Sequence, residues 1–330
     1  MEEKNMRLTF INVGYGEAMV LECPDASRPG GVFTALIDGG GAEEAEFAGS
    51  TSGRLPAAEY LKRRDIRRID LAVSTHIHED HLCGLLCACR AAPPDALWQA
   101  LPPDFYRTLR PLDVSAARTA SESKFLRALN DYRTLCALAE GGISAPPEGV
   151  EQALCPGLRA RVLSPDATRR EELAAAMTAL YAKTEGTEAF YRELDALDAR
   201  MNNFSLILRL DYFGTRLLLP GDTNLSGYGG IDPAELRADI FKIGHHGQKD
   251  GADAALLQAV RPQAAVCCAS GDRRYESAHP AAMQLLADFG AKRYFSDCPP
   301  VSGVSLEPHQ ALQFTIGPGG VWDAQYLSGI

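Results

Sequence analysis

Hydrophobic and polar positions along the chain predict a sheet-rich start. Residues Met6–Val13 alternate Met, Leu, Phe and Ile, with Val13 adjoining, against smaller or polar positions. Runs at Glu17–Glu22 and Val32–Ile37 follow, separated by Gly14, Gly16, Pro29, Gly30 and Gly31. Short β-rich runs bounded by glycine predict an antiparallel beginning. Leu55–Arg64 predicts a helix with Pro56 in its first turn. Ile69–Ser74 is a compact apolar strand. The pattern then changes period. Phe125, Leu129, Tyr132 and Cys136 recur at helical spacing within Ser121–Gly141. Leu173, Met177 and Leu180 do so within Thr168–Ala182, as do Phe190, Leu194 and Leu197 after Gly186. These stripes predict core-facing helices. Strand character returns at Phe204–Asp211 and Thr215–Leu219, joined by the turn Tyr212-Phe213-Gly214, which predicts a hairpin. Asp239–Ile243 and Ala264–Cys268 read as buried strands, Ala254–Val260 and Pro280–Phe289 as helices, and Leu312–Ile316 as the last strand.

Sheet runs with helices between them, and no linker rich in Pro, Gly or Ser, predict one layered α/β domain over residues 1–330, with a helical elaboration at about 90–200. Composition narrows the class. The chain has 330 residues, 46% hydrophobic and 23% charged, as in a globular protein. The formal net charge of −10 disfavours a duplex-coating role, which draws its affinity from clustered Lys and Arg. The basic run from Lys62 to Arg68 lies on a helix end and loop, and reads as a solvated face. No apolar run approaches the ~18–20 residues of a membrane span. The N-terminus lacks a signal-peptide pattern, so a cytoplasmic location with no membrane partner is expected. Nine cysteines, without a pair of separated Cys-x-x-Cys knuckles, read as free and mostly buried thiols.

The chemistry concentrates in Ser74-Thr75-His76-Ile77-His78-Glu79-Asp80-His81, where three of the seven histidines stand within six positions. Alternate residues of an extended segment point the same way, so His76 and His78 can share one metal ion. Asp80 and His81 lie past the strand end and can turn toward a second. Imidazole and carboxylate suit zinc, manganese and iron. Loops after strands are where catalytic residues usually sit.

The His-x-His-x-Asp-His string resembles the signature of the metallo-β-lactamase superfamily. Five further segments sharpen the likeness: Asn12-Val13-Gly14-Tyr15-Gly16-Glu17-Ala18, Asp38-Gly39-Gly40, Asn202-Asn203-Phe204-Ser205-Leu206 with Ala278-His279-Pro280, Leu219-Pro220-Gly221-Asp222, and Lys242-Ile243-Gly244-His245-His246-Gly247. Together they look most like the soluble ComEC-type branch. The resemblance implies a four-layer αββα sandwich with a metal site along one edge, holding one or two divalent ions, zinc foremost, with manganese or iron as alternatives. It implies that His76 and His78 bind one ion, Asp80 and His81 the other, and that Asp222 bridges them. It implies that either His245 or His246 completes the ligand set of the second ion. His246 is favoured, with His245 as proton donor or phosphate contact. Asp38 would accept the spare N–H of a ligand histidine, unless it is an ordinary turn aspartate. Two departures stand out. No histidine occurs from position 82 to 244, so a carboxylate such as Asp166 is a candidate in its place. Gln248 stands where the branch usually has serine.

The implied chemistry is hydrolysis by a metal-bound hydroxide, since a metal lowers the pKa of bound water toward neutrality. A phosphate ester or phosphodiester is the leading substrate class: a nucleotide, a short oligonucleotide or a phosphorylated small molecule. The alternatives are a lactone, thioester or β-lactam, or a catalytically weak module that binds a ligand or partner. Asp80, His245 and His279 are the candidate catalytic groups, and Asn203, Gln248 and Tyr275 the weaker substrate contacts. His279 also reads as a plain helix-start residue. His309 has no evident partner and is expected at the surface.

Overall fold

The computed structural model describes residues 5–330. Six strands open the chain: β1 (Met6–Ile11), β2 (Met19–Pro24), β3 (Val32–Ile37), β4 (Leu71–Val73), β5 (Leu97–Trp98) and β6 (Ile143–Ser144). Seven follow: β7 (Glu151–Cys155), β8 (Leu158–Ser164), β9 (Ile207–Tyr212), β10 (Thr215–Leu219), β11 (Ile240–Lys242), β12 (Ala264–Cys267) and β13 (Lys292–Phe295). The last two are β14 (Ala311–Ile316) and β15 (Trp322–Leu327). One sheet has the order β15-β14-β1-β2-β3-β4-β5-β6 and the other β13-β12-β11-β10-β9-β8-β7. Each turns from antiparallel to parallel pairing part-way across. The helices are α1 (Glu44–Phe47), α2 (Ala57–Arg63), α3 (Glu79–Ala91), α4 (Ala120–Leu138), α5 (Ala167–Tyr181), α6 (Glu188–Met201), α7 (Ala254–Val260) and α8 (Pro280–Asp288). The architecture is the αββα sandwich.

The period of two in each strand explains the layering. In β10, Leu217 and Leu219 join the main core while Leu218 faces the other way, into a cluster with Leu257, Val260 and Met283 of α7 and α8. In β11, Phe241 and Ile243 face that outer cluster, so Ile240 and Lys242 face the main core between the sheets. A lysine is thereby aimed into the interior, where it is fully buried.

Several expectations are revised. The stretch 90–200 is not only helical: it supplies α4, α5 and α6 but also β5 to β8, two strands to each sheet. Strands of two residues are too short to show a period, and β7 has no buried residue, so neither leaves a hydrophobic signature. Leu312–Ile316 is not the last strand. The glycine-rich turn after it leads back into β15, whose exposed Asp323, Gln325 and Tyr326 mask the pattern. His309 is buried rather than at the surface, its ring nitrogens lying 2.8 Å from the Glu307 carbonyl oxygen and 3.1 Å from that of Ser296. No described helix is long and apolar enough to cross a membrane. The nine cysteines are free, and six are buried.

Two glycines set how closely the first loop approaches α3. A Cβ on Gly39 would lie 2.0 Å from the Leu85 amide nitrogen, and one on Gly84 2.0 Å from the Gly39 carbonyl oxygen. The Gly39 amide donates to the His81 carbonyl and the Gly84 amide to that of Gly40, both at 2.8 Å. This contact presses Asp38 against the start of α3. Gly84→Ala is expected to destabilise the fold by about 1–3 kcal/mol through overpacking, whereas Cys87→Ala, exposed on the same helix, should stay within about 0.5 kcal/mol. Urea denaturation of the two variants compares them directly.

Candidate metal centre

The loops that follow β3, β4, β10 and β11 leave their strand ends on one edge of the sandwich, as the ligand-binding ends of parallel strands do. Asp80, His81, Asp222 and His246 meet there, each offering one ligand atom within 4.8 Å of the others, and all four are buried. The His246 Nε2 lies 2.7 Å from Asp222 Oδ2 and 3.1 Å from Asp80 Oδ2. The His81 Nε2 lies 3.2 Å from Asp222 Oδ2 and 3.8 Å from Asp80 Oδ2.

The outer nitrogens of both rings are committed elsewhere. His81 Nδ1 donates to Asp38 Oδ2 at 2.8 Å, and His246 Nδ1 to the Cys268 carbonyl at 2.7 Å. A neutral ring that donates through Nδ1 presents a lone pair at Nε2, which is how second partners prepare histidines for metal. Within the described residues the His81 Nε2 also has no well-aligned hydrogen-bond partner. Two imidazole nitrogens and two carboxylate oxygens converging in a buried space fit a divalent cation. With only protons to occupy the cluster, His246 is pushed up to about 9: burial opposes the charge, and Asp222 and Asp80 override it. His81 is likewise held well above the usual imidazole range by Asp222, Asp80 and Asp38, again against burial. Protons and metal therefore compete for the same lone pairs.

His76 and His78 form a second group beside the first. The His76 and His81 ring centroids are 4.3 Å apart. The Thr75 hydroxyl donates to Asp38 Oδ2 at 2.6 Å, so it can accept His76 Nδ1–H at 3.1 Å. This aims His76 Nε2 at His78 Nδ1, also 3.1 Å away. Burial, then the neighbouring rings of His81 and His78, holds His76 well below the usual imidazole range, so its lone pair is available. The far nitrogen of His78 lies 3.0 Å from Asp198 Oδ1 on α6. Asp38, with φ +53°, thus steers His81 directly and His76 through Thr75, and also accepts the Thr75 amide at 2.8 Å. It is more than a turn aspartate.

Behind the cluster, the buried Lys242 ammonium is ion-paired with Glu17, donates to the Gly221 carbonyl at 2.7 Å and lies 3.2 Å from Asp222 Oδ1. Glu17 and Asp222 keep it charged against the cost of burial. It fixes the Asp222 carboxylate on the side away from the histidines.

The other expected residues divide. His245 sits outside the cluster with Nδ1 2.8 Å from Asp250 Oδ1, and its side chain is 20% exposed. Both it and His246 have positive φ, +48° and +49°, a rare conformation in which the chain turns tightly enough to send adjacent rings to different places. His279 caps α8, its Nδ1 accepting the Ala281 amide at 3.2 Å. Asp166 caps α5 by accepting the Arg169 amide at 2.8 Å and is not gathered with the other donors. Asn203 braces a turn, donating to Ser226 at 3.0 Å and accepting the Asn224 amide at 3.3 Å. Gln248 is half-buried just past the histidine turn. Tyr275 is 59% exposed and meets Tyr15 edge-on, ring centroids 5.2 Å apart. Tyr15 in turn packs 4.5 Å from the His246 ring.

The family model for the metallo-beta-lactamase superfamily matches residues 28–111, which carry Asp38 and the string from His76 to His81. Over this stretch the chain is similar to the metallo-β-lactamase superfamily. Asp222 and His246 lie outside the matched stretch and join Asp80 and His81 through the fold. Two ComEC-type competence proteins are similar. ComE operon protein 3 of Bacillus subtilis (strain 168) is 32% identical over 90 residues, 27% of this chain and 12% of that protein. Competence protein ComA of Neisseria gonorrhoeae is 30% identical over 139 residues, 40% of this chain and 18% of that protein. The chain thus spans less than a fifth of either relative. Among solved structures, Zn(2+)-bound PqqB from Methylobacterium extorquens is 11% identical with a TM-score of 0.43, covering 88% of this chain and 98% of that one. A diphosphatase from the PhnP family is 12% identical with a TM-score of 0.41, covering 89% and 96%.

Sequence reading missed Glu17, Thr75, Asp198 and Lys242 as partners of the site. Lys242 carries a signal in hindsight, a charge inside an otherwise apolar strand, whereas Asp198 is one more polar residue beside a helical stripe. Two predictions follow from the geometry around the cluster. Asp38→Ala should weaken metal binding about 10–100-fold, as loss of a ligand's hydrogen-bond partner does. A competition titration against a chromophoric chelator reads it. Lys242→Met should cost about 3–5 kcal/mol by leaving Glu17 buried beside Asp222 without a cation. Adding Glu17→Leu should recover much of that loss in chemical denaturation.

Proposed function

We propose that the chain is a divalent-metal hydrolase of phosphate esters, phosphodiesters foremost, with zinc as the metal. The observation that carries this reading is the pair of adjoining donor groups, His76 with His78 and Asp80, His81, Asp222 with His246, whose outer nitrogens are held by hydrogen bonds. Asp222 would stand between two ions. Such paired sites suit in-line displacement at phosphorus, where charge spreads over several oxygens. Bound there, divalent ions would supply an activated water and neutralise charge on the attacked phosphoryl group.

The protein's own groups do the rest. Asp80 and Asp222 stay ionised: burial opposes this, but the flanking histidines, with Lys242 for Asp222, hold both below the usual carboxylate range. They are orienting acceptors rather than proton stores. His245, held through Nδ1 by Asp250, has Nε2 left to pass a proton to a departing oxygen. The His279 Nδ1 is occupied by the α8 amide, so only its Nε2 can serve a substrate. The substrate proposed is a small anionic ester or a short nucleic-acid strand, in keeping with the net charge of −10.

His76→Ala or Asp222→Ala should abolish hydrolysis of bis-p-nitrophenyl phosphate, and chelation followed by metal addition should remove and restore the wild-type rate. A parallel panel of lactones, thioesters and β-lactams should remain unhydrolysed. Turnover of that panel with phosphodiesters untouched would overturn the assignment to phosphorus.

A further inference from the structure

Beside the donor cluster is a cavity of about 210 Å³ that shares Asp80 with it and is lined also by Tyr15. This is below the ~300–1,000 Å³ of a site for a drug-sized ligand. It has room for a single ring system and not for a strand. One side is aromatic. Tyr15 lines it and packs between the His246 ring and Tyr275, and the Arg274 guanidinium, also on the lining, lies 5.6 Å from the Tyr15 centroid.

The charges on the lining point away from a polyanion. Lys124 is paired with Glu79 at 3.1 Å, Arg127 with Glu43 at 3.5 Å and Arg274 with Glu46 at 2.8 Å. Asp131 and Asp80 add two further carboxylates to the same lining. Every cation lining the cavity thus already has a carboxylate partner, and acceptors outnumber cations. A second phosphate would meet more carboxylate than free cation. A ring bearing N–H donors would meet carboxylate acceptors and an aromatic face.

We infer that this cavity seats an uncharged heteroaromatic ring carrying N–H donors, attached to the phosphoryl group that lies over the donor cluster. The inference rests on the phosphoester reading above and narrows its substrate to the mononucleotide type. α4, which connects β5 to β6 of the first sheet, supplies Lys124, Arg127 and Asp131 and so helps to select the substrate.

Calorimetric titration of the metal-loaded protein with adenosine 5′-monophosphate, glucose 6-phosphate and inorganic phosphate tests this. The nucleotide should bind at least about tenfold more tightly than the other two, in line with the contribution of stacking one base on an aromatic side chain. Tyr15→Leu should bring it down to the affinity of glucose 6-phosphate. An unchanged thermal melt will show that the variant is folded. Equal affinities for the three ligands, or a nucleotide preference that survives in folded Tyr15→Leu, would overturn the inference. The outcome is separate from the catalytic reading. Hydrolysis of bis-p-nitrophenyl phosphate without a nucleotide preference removes the ring site alone, whereas a clear preference without hydrolysis keeps the ring site and removes the phosphoesterase.

Discussion

Four carboxylates, Glu17, Asp38, Asp80 and Asp222, are buried at one edge of the seam between two sheets, with Lys242 as the fixed cation among them. Burying one unpaired charge is costly, and burying several of one sign near each other is prohibitive without compensation. The structure meets this constraint in three ways. Lys242 neutralises Glu17 and one side of Asp222. Asp38 accepts three hydrogen bonds, from the Thr75 amide, the Thr75 hydroxyl and His81. Asp80 and Asp222 are left facing histidines, and a divalent cation would satisfy both together. The metal centre is thus the remainder of a charge problem that the fold creates.

The backbone serves the same end. Gly39 and Gly84 let two chain segments touch without side chains between them, which puts Asp38 within reach of both Thr75 and His81. Gly16 does likewise on the other side: its Cβ would lie 2.3 Å from the Asp80 carbonyl oxygen, which accepts the Glu17 amide at 3.1 Å. The first glycine turn therefore carries Glu17 to Lys242 and Tyr15 to the cavity while it fixes the loop that bears Asp80. Positive φ at Asp38, His245 and His246 is strain that this packing sustains.

Much of this was legible in the sequence because the residues involved break simple rules. Three histidines in six positions after an apolar strand have little structural use, and glycine pairs beside aspartate mark close approach. The hairpin at β9 and β10 and the helices α4 to α6 followed from plain periodicity. What stayed hidden depends on three-dimensional approach. Lys242 looked like the end of a strand until the alternation of β11 showed that it points inward with Ile240. Asp198 reaches His78 only because α6 packs beside the metal loop. Asp166 and His279 seemed available for chemistry, but local backbone geometry gives both to helix caps, the commoner use of a polar residue at a helix start. β5 to β7 were lost because two-residue strands and the edge strand β7 carry too little alternation to separate them from loop; that reason does not extend to β8, an inner strand of seven residues.

Net charge also changes meaning when it is assigned to places. The value of −10 argues against coating a duplex, and the basic run at Lys62–Arg68 does not alter that, since Arg63, Arg67 and Arg68 each pair with nearby carboxylates. At the cluster the count differs. Lys242 is fully buried, so it offsets Asp222 and Glu17 without screening by water. Divalent ions held by Asp80 and Asp222 would make the site locally positive. A few ångströms away, the cavity lining is carboxylate-rich and its cations are already paired. An ester whose single anionic group faces the cluster, and whose other end is an uncharged donor, matches both fields at once. A polyanion matches only the first. On the proposed reading, the division between these two regions, rather than the sign of the whole chain, would limit the size and charge of the substrate.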